Sequence, residues 1–202
     1  MIRAVLFDFG GVIAEEGFRE GLRAIALLAG LDSEAFFELG RETVYRSGYV
    51  VGAAPESAYW REIRERTGIS LTDDLMRREI IRRFVLRPEM LAHADRLRSS
   101  GLRVAILSDQ TNWLEEIDEH EHFSGHFDRV FNSYRLGKSK RDPSVFGDVC
   151  REMGVEPRKT LFVDDSAENV ARARGAGLGA IHFTAVDRFE KELSVVLSSR
   201  IS

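Results

Sequence analysis

Short β-rich apolar runs punctuate the chain at positions 4–9, 102–107, 129–131, 160–163 and 180–183, and segments of helical period separate the last four. That alternation predicts a parallel sheet covered by helices. Parallel sheets bind ligands beyond the carboxyl ends of their strands, and here Asp8, Ser108, Asp164 and Asp165 all fall at predicted strand ends.

Between the first and second runs the alternation stops, and residues 15–86 read as helix after helix. Apolar residues recur at three-to-four spacing over 18–29, 33–46, 56–67 and 72–85, with Ser33 and Thr72 as expected N-caps and Gly30 and Gly68 as expected terminators. Pro88 suits the first turn of a helix over 89–100. The organisation expected is a core of residues 1–14 and 87–202 carrying a helical cap of residues 15–86.

With 202 residues, the chain is long enough to bury a core. Its 29 basic and 33 acidic residues leave a net charge of −4 without a long basic block, which argues against nucleic acid as a partner. Cys150 is the lone cysteine and cannot form an internal disulfide. No stretch reads as a signal peptide and no apolar run reaches bilayer length, so the expectation is a cytoplasmic protein without a membrane partner. The sequence leaves its oligomeric state open.

Four segments gather polar chemistry in a fixed order: "LFDFGG" around Asp8, "ILSDQTN" around Ser108, "GKSKRDPSVF" with Lys138 and Lys140, and "LFVDDSAEN" with Asp164 and Asp165. Singly each has a plain structural reading. An aspartate before glycines suits a tight turn, a loop lysine is usually solvated, and Asp109 suits a helix cap.

Together they resemble the motifs of the haloacid dehalogenase superfamily, over residues 5–184. The resemblance implies a doubly wound, Rossmann-like parallel α/β core with an all-helical cap inserted after the first motif. It implies Asp8 as nucleophile, Ser108 and Lys140 as groups that hold the phosphoryl oxygens, and Mg²⁺ on Asp8, the carbonyl of Gly10, Asp165 and Asp164. It implies a small phosphorylated metabolite, such as a sugar phosphate, as substrate. Matching "KRDP" to the family's "KPDP" favours Lys140 over Lys138, with Arg141 in place of the proline. The chemistry suits these types: phosphoryl transfer needs an in-line nucleophile and positive charge, and clustered carboxylates need a cation among them.

One position departs from the pattern. Two residues after the nucleophile, typical phosphatases of the family have an aspartate that handles the leaving-group proton, and here Gly10 stands there. Three readings follow: a phosphatase in which water, the substrate, Glu15 or Glu16 supplies the proton; a binding or regulatory relative without efficient turnover; or a dehalogenase, which the Asp164–Asp165 pair disfavours. Asn169 suits support of the acidic loop or a helix's first turn. The histidines of "EHEHFSGHF" lack a second ligand group at zinc spacing. Trp60, Tyr45 and Tyr49 are expected in the core of the cap. The glycines of "RARGAGLG" follow a helix rather than open one, against a dinucleotide site.

Overall fold

The computed structural model describes residues 1–198. The chain runs β1 (Ala4–Phe7), α1 (Gly17–Ala29), α2 (Ser33–Arg46), α3 (Glu56–Thr67), α4 (Asp73–Ile81), α5 (Pro88–Ser99), β2 (Arg103–Ser108) and α6 (Trp113–Glu121). It continues through β3 (Arg129–Asn132), α7 (Ser133–Leu136), α8 (Ser144–Glu152), β4 (Thr160–Asp164), α9 (Ala167–Gly175), β5 (Gly179–His182) and α10 (Val186–Ser198). The strands form one parallel sheet in the order β3-β2-β1-β4-β5.

Alternation along each strand feeds two cores. Val5, Phe7, Val104, Ile106, Leu161 and Val163 face one side of the sheet, while Ala4, Leu6, Ala105, Leu107 and Phe162 face the other. Both sides are apolar because helices cover both, which is why the strands read as unbroken apolar runs. The α8 residues Val145, Phe146, Val149 and Cys150 pack on the second side. The strand order reverses at β1, since β2 and β3 lie on one side of it and β4 and β5 on the other. Phe7 is level with Ile106 and with Val163, so the register sets Asp8, Ser108 and Asp164 along one rim at the reversal, where parallel sheets open a ligand crevice.

The stretch without strands packs over that rim. Helix α1 lies against α2 and α4, and Trp60 of α3 stacks on Trp113 of α6 with ring centroids 5.8 Å apart. Backbone hydrogen bonds close both chain crossings: Glu15 N–H donates to Val85 O and Arg87 N–H to Ile13 O, each at 2.8 Å. The Arg87 guanidinium adds bonds to the carbonyls of Val12 and Ala14.

Two local expectations need correction. The N-cap of α2 is Asp32, whose carboxylate accepts the Ala35 N–H at 2.8 Å, so Ser33 is the first helical residue. An aspartate there also complements the helix dipole. Helix α4 ends at Ile81 instead of reaching Val85, because the chain must leave the helix to pair Val85 and Arg87 with the first crossing. Thr72 caps α4, and Gly30 and Gly68 end their helices in the left-handed conformation.

Candidate active site

The first rim residue sits on a turn that only one of its two glycines requires. Asp8 follows β1 and its N–H extends the pairing to Val163 O. Gly11 has φ of +79°, and a Cβ there would lie 2.3 Å from an Asp165 carboxylate oxygen, so both backbone and space demand glycine. Gly10 has no such backbone demand. A Cβ on Gly10 would meet only side chains: the Phe84 ring at 3.2 Å, Gln110 Nε2 at 3.5 Å and Glu16 Oε1 at 3.5 Å.

Asp8 is 8% exposed, and both of its oxygens are held. Oδ1 accepts from the Phe9 N–H and the Ser108 hydroxyl, each at 2.7 Å, and Oδ2 lies 2.7 Å from Lys140 Nζ. Lys140 is only 1% exposed and also donates to Asp164 Oδ2 at 2.7 Å. The rival Lys138 points away, to Asp148 at 2.6 Å on α8, with 40% of its side chain exposed. Asp164 Oδ1 also accepts from the Ser166 N–H at 2.7 Å, and the Asn169 amide reaches both Asp164 oxygens at 3.2 Å. Asn169 therefore braces the acidic loop.

The electrostatics are those of an enclosed group with excess negative charge. Burial pushes the Asp8 carboxyl well above the usual carboxylate range; Lys140 opposes the shift, and Asp164 and Asp165 reinforce it. Burial, then repulsion from Asp164, pushes Asp165 up as well. Burial lowers the Lys140 ammonium, but the three aspartates Asp164, Asp8 and Asp109 outweigh it and hold the group charged. Three carboxylates against one ammonium call for a further cation. Asp8, Asp164 and Asp165 each offer an oxygen, all within 4.8 Å of one another, and among the described residues these three form the group suited to a metal ion. An all-oxygen set of this kind fits Mg²⁺. The histidines between 120 and 126 join no such group; His126 instead pairs with Asp95 at 2.8 Å.

Above Asp8 opens a cavity of about 270 Å³, lined by the rim on one side and by α1 and α2 on the other. Two of its residues revise the expectations from sequence. Asp109 caps no helix: it accepts the Lys140 backbone N–H at 2.8 Å and the Tyr45 hydroxyl at 2.9 Å. Tyr45 therefore lines the cavity, unlike Trp60 and Tyr49, which are fully buried in the apolar core. Arg141, in the place of a proline, lays its guanidinium 3.4 Å from the Tyr45 ring centroid and ties the lysine loop to α2. Gln110, inside the "ILSDQTN" segment but not singled out there, also faces the cavity, as do Arg19 and Arg41, which no sequence motif marks. Of the two glutamates named from sequence, Glu15 pairs outward with Arg87, and Glu16 lines the cavity.

A sequence model of the haloacid dehalogenase-like hydrolases matches residues 2–177, the span that holds every rim residue described above. The chain belongs to that family. Among curated proteins, the D-ribitol-5-phosphate phosphatase of Bacteroides thetaiotaomicron is 25% identical over 98% of this chain and 100% of its own length. Bifunctional epoxide hydrolase 2 of Sus scrofa is 25% identical over 96% of this chain, which spans 39% of that protein. Among solved structures, a family enzyme of Bacteroides thetaiotaomicron in complex with magnesium and inorganic phosphate superposes with a TM-score of 0.70 at 20% identity, over 92% of this chain and 96% of that one. The L-2-haloacid dehalogenase of Xanthobacter autotrophicus has a TM-score of 0.69 at 18% identity, over 96% and 83%. The shared haloacid dehalogenase fold thus serves different reactions, and the side chains at the rim have to distinguish them.

Proposed function

We propose that this hydrolase is a Mg²⁺-dependent phosphomonoesterase acting on a small phosphorylated metabolite, with sugar phosphates as the leading class, through an aspartyl-phosphate on Asp8. The observation that carries the reading is the placement of Asp8 on a cavity floor with Lys140 and Asp165, with the buried Asp164 paired to Lys140 behind them. A cavity of about 270 Å³ suits a small substrate, and the ribitol-phosphate phosphatase among the relatives supports a phosphorylated polyol or sugar. Residues 15–86 act as the cap, closing the cavity opposite the core.

Asp8, Asp165, the Gly10 carbonyl and Asp164, directly or through water, would hold the Mg²⁺, which supplies positive charge against the phosphate and the carboxylates. The Asp8 carboxylate attacks phosphorus, the bond to the ester oxygen breaks, and the leaving alkoxide takes up a proton. Water then loses a proton and attacks the aspartyl-phosphate, releasing inorganic phosphate and restoring the Asp8 carboxylate. Lys140 balances charge on the transferring group, and Ser108 fixes the orientation of Asp8.

The test is a panel of sugar, polyol and aryl phosphates with Mg²⁺ or with a chelator, on wild type and Asp8→Asn. Mg²⁺-dependent phosphate release that Asp8→Asn abolishes is the expected result. A folded wild type inert toward the whole panel would favour a binding or regulatory role.

A further inference from the structure

Gly10 leaves the enzyme without a carboxyl at the usual proton-handling position, but the space that carboxyl would enter is not bare. A Cβ built on Gly10 would lie 3.5 Å from both Glu16 Oε1 and Gln110 Nε2, beside the Phe84 ring at 3.2 Å. Both side chains line the cavity that contains Asp8. From that juxtaposition, and resting on the phosphatase reading above, we infer that Glu16 is the proton donor and acceptor of the reaction, with Gln110 holding the oxygen that exchanges the proton.

The local structure explains how a residue further along the chain can take this part. Glu16 is the N-cap of α1, and its Oε2 accepts the Arg19 N–H at 3.2 Å. Serine, threonine, aspartate and asparagine are the usual N-caps, and glutamate is not among them. Its longer side chain uses one oxygen for the cap and leaves Oε1 facing the volume over Gly10. The position is rigid: Glu15 and Ile13 are hydrogen-bonded to the returning crossing, and Gly17 packs against Phe84 so closely that a Cβ would lie 2.6 Å from the ring. Glu15 cannot substitute, since its carboxylate is drawn outward to Arg87 at 2.8 Å.

The proton inventory closes over the two steps. In the first, the Glu16 carboxyl gives its proton to the ester oxygen as the bond from phosphorus to that oxygen breaks, releasing the alcohol. In the second, the Glu16 carboxylate takes a proton from water as the hydroxide forms its bond to phosphorus and the bond to the Asp8 oxygen breaks. Glu16 ends protonated, ready for the next turnover. Aryl esters release a stable anion and need no donor in the first step, but they still need the acceptor in the second.

Glu16→Gln keeps an oxygen for the helix cap and removes the acid. The expected result is a loss of about 10²–10⁴-fold in turnover of an alkyl phosphate such as a sugar phosphate. With p-nitrophenyl phosphate the variant should release one equivalent of p-nitrophenol per active site in a rapid burst and then turn over slowly, because transfer to Asp8 survives and hydrolysis does not. Adding Gly10→Asp to Glu16→Gln should restore alkyl turnover by about tenfold or more, since the new carboxyl enters the same volume. Three outcomes overturn the assignment: alkyl turnover in Glu16→Gln within about threefold of wild type, a burst slowed as much as alkyl turnover, or no restoration in a double variant of unchanged melting temperature. A wild type without phosphatase activity would remove the phosphatase reading itself, whereas an active wild type with an unaffected Glu16→Gln removes only the role given to Glu16.

Discussion

Lys140 offers the sharpest test of the site's electrostatics, because replacing it with methionine removes the charge while keeping most of the side chain's length. Its ammonium lies 2.7 Å from Asp8 Oδ2 and 2.7 Å from Asp164 Oδ2, in a place where the lysine is 1% exposed. At an effective dielectric of about 20, each contact contributes roughly 6 kcal/mol of attraction, against which stands a desolvation cost of several kcal/mol for each buried ion. Removing one partner of a buried pair typically costs about 3–5 kcal/mol, since the other charge stays behind. The remaining hydrogen bonds, from Phe9 and Ser108 to Asp8 and from Ser166 and Asn169 to Asp164, argue for the lower end. At about 2–4 °C per kcal/mol for a chain of this size, the melting temperature of Lys140→Met in chelator should fall by roughly 6–12 °C. Thermal denaturation of wild type, Lys140→Met, Asp8→Asn and the double variant measures this directly. The double variant should melt above Lys140→Met, because Asp8→Asn removes a carboxylate that has lost its counter-ion. A Lys140→Met melting temperature within about 2 °C of wild type, or a double variant no more stable than Lys140→Met, would refute the reasoning.

Saturating Mg²⁺ should raise the wild-type melting temperature relative to a chelated sample and should raise that of Asp8→Asn less, as one of three carboxylates has lost its charge; equal shifts would remove Asp8 from the metal site. Gly11→Ala should destabilise the fold by about 1 kcal/mol or more from its left-handed backbone alone. Because the new methyl would also displace the Asp165 carboxylate, it should weaken Mg²⁺ binding in a metal titration, and unchanged affinity would contradict the geometry.

The aspartates and the serine of the rim were legible in the sequence because they sit where strands end, and strand ends are marked by apolar runs that stop. Asp8, Ser108 and Asp164 come level through parallel pairing, which carries side chains from distant segments to one rim without any signal beyond those runs. The choice of Lys140 over Lys138 had a sequence basis in the match of "KRDP" to "KPDP", whose proline, Pro143, directly precedes α8. The wall of the cavity was not legible. Tyr45 and Trp60 have the same aromatic character at the same helical spacing, yet one lines the cavity and the other is fully enclosed, because that depends on how α2 and α3 are set over the sheet. Asp109 read as a helix cap because aspartates after strands often are; tertiary contact with Tyr45 and the Lys140 N–H decides otherwise.

On the proposed function, the rim should bind Mg²⁺ strongly, because its own charges burden the fold of the apoprotein. Asp8, Asp164 and Asp165 bring three negative charges into a crowded rim, and Lys140 returns one positive charge. Burial raises the carboxyls of Asp8 and Asp165, so their ionised forms cost the apoprotein free energy. An ion that binds the folded state alone recovers that cost as affinity, and by linkage the protein gains stability in proportion to the logarithm of metal concentration. Asp164 can take part in this with little freedom of its own, since Lys140, Ser166 and Asn169 already satisfy both of its oxygens. Asp165, packed against the bare Cα of Gly11, is the carboxylate left to turn toward a cation. The paired glycines after Asp8 therefore divide the work: Gly11 makes room for the Asp165 carboxylate, which the proposed function gives to the metal, and Gly10 leaves open the volume that Glu16 and Gln110 face.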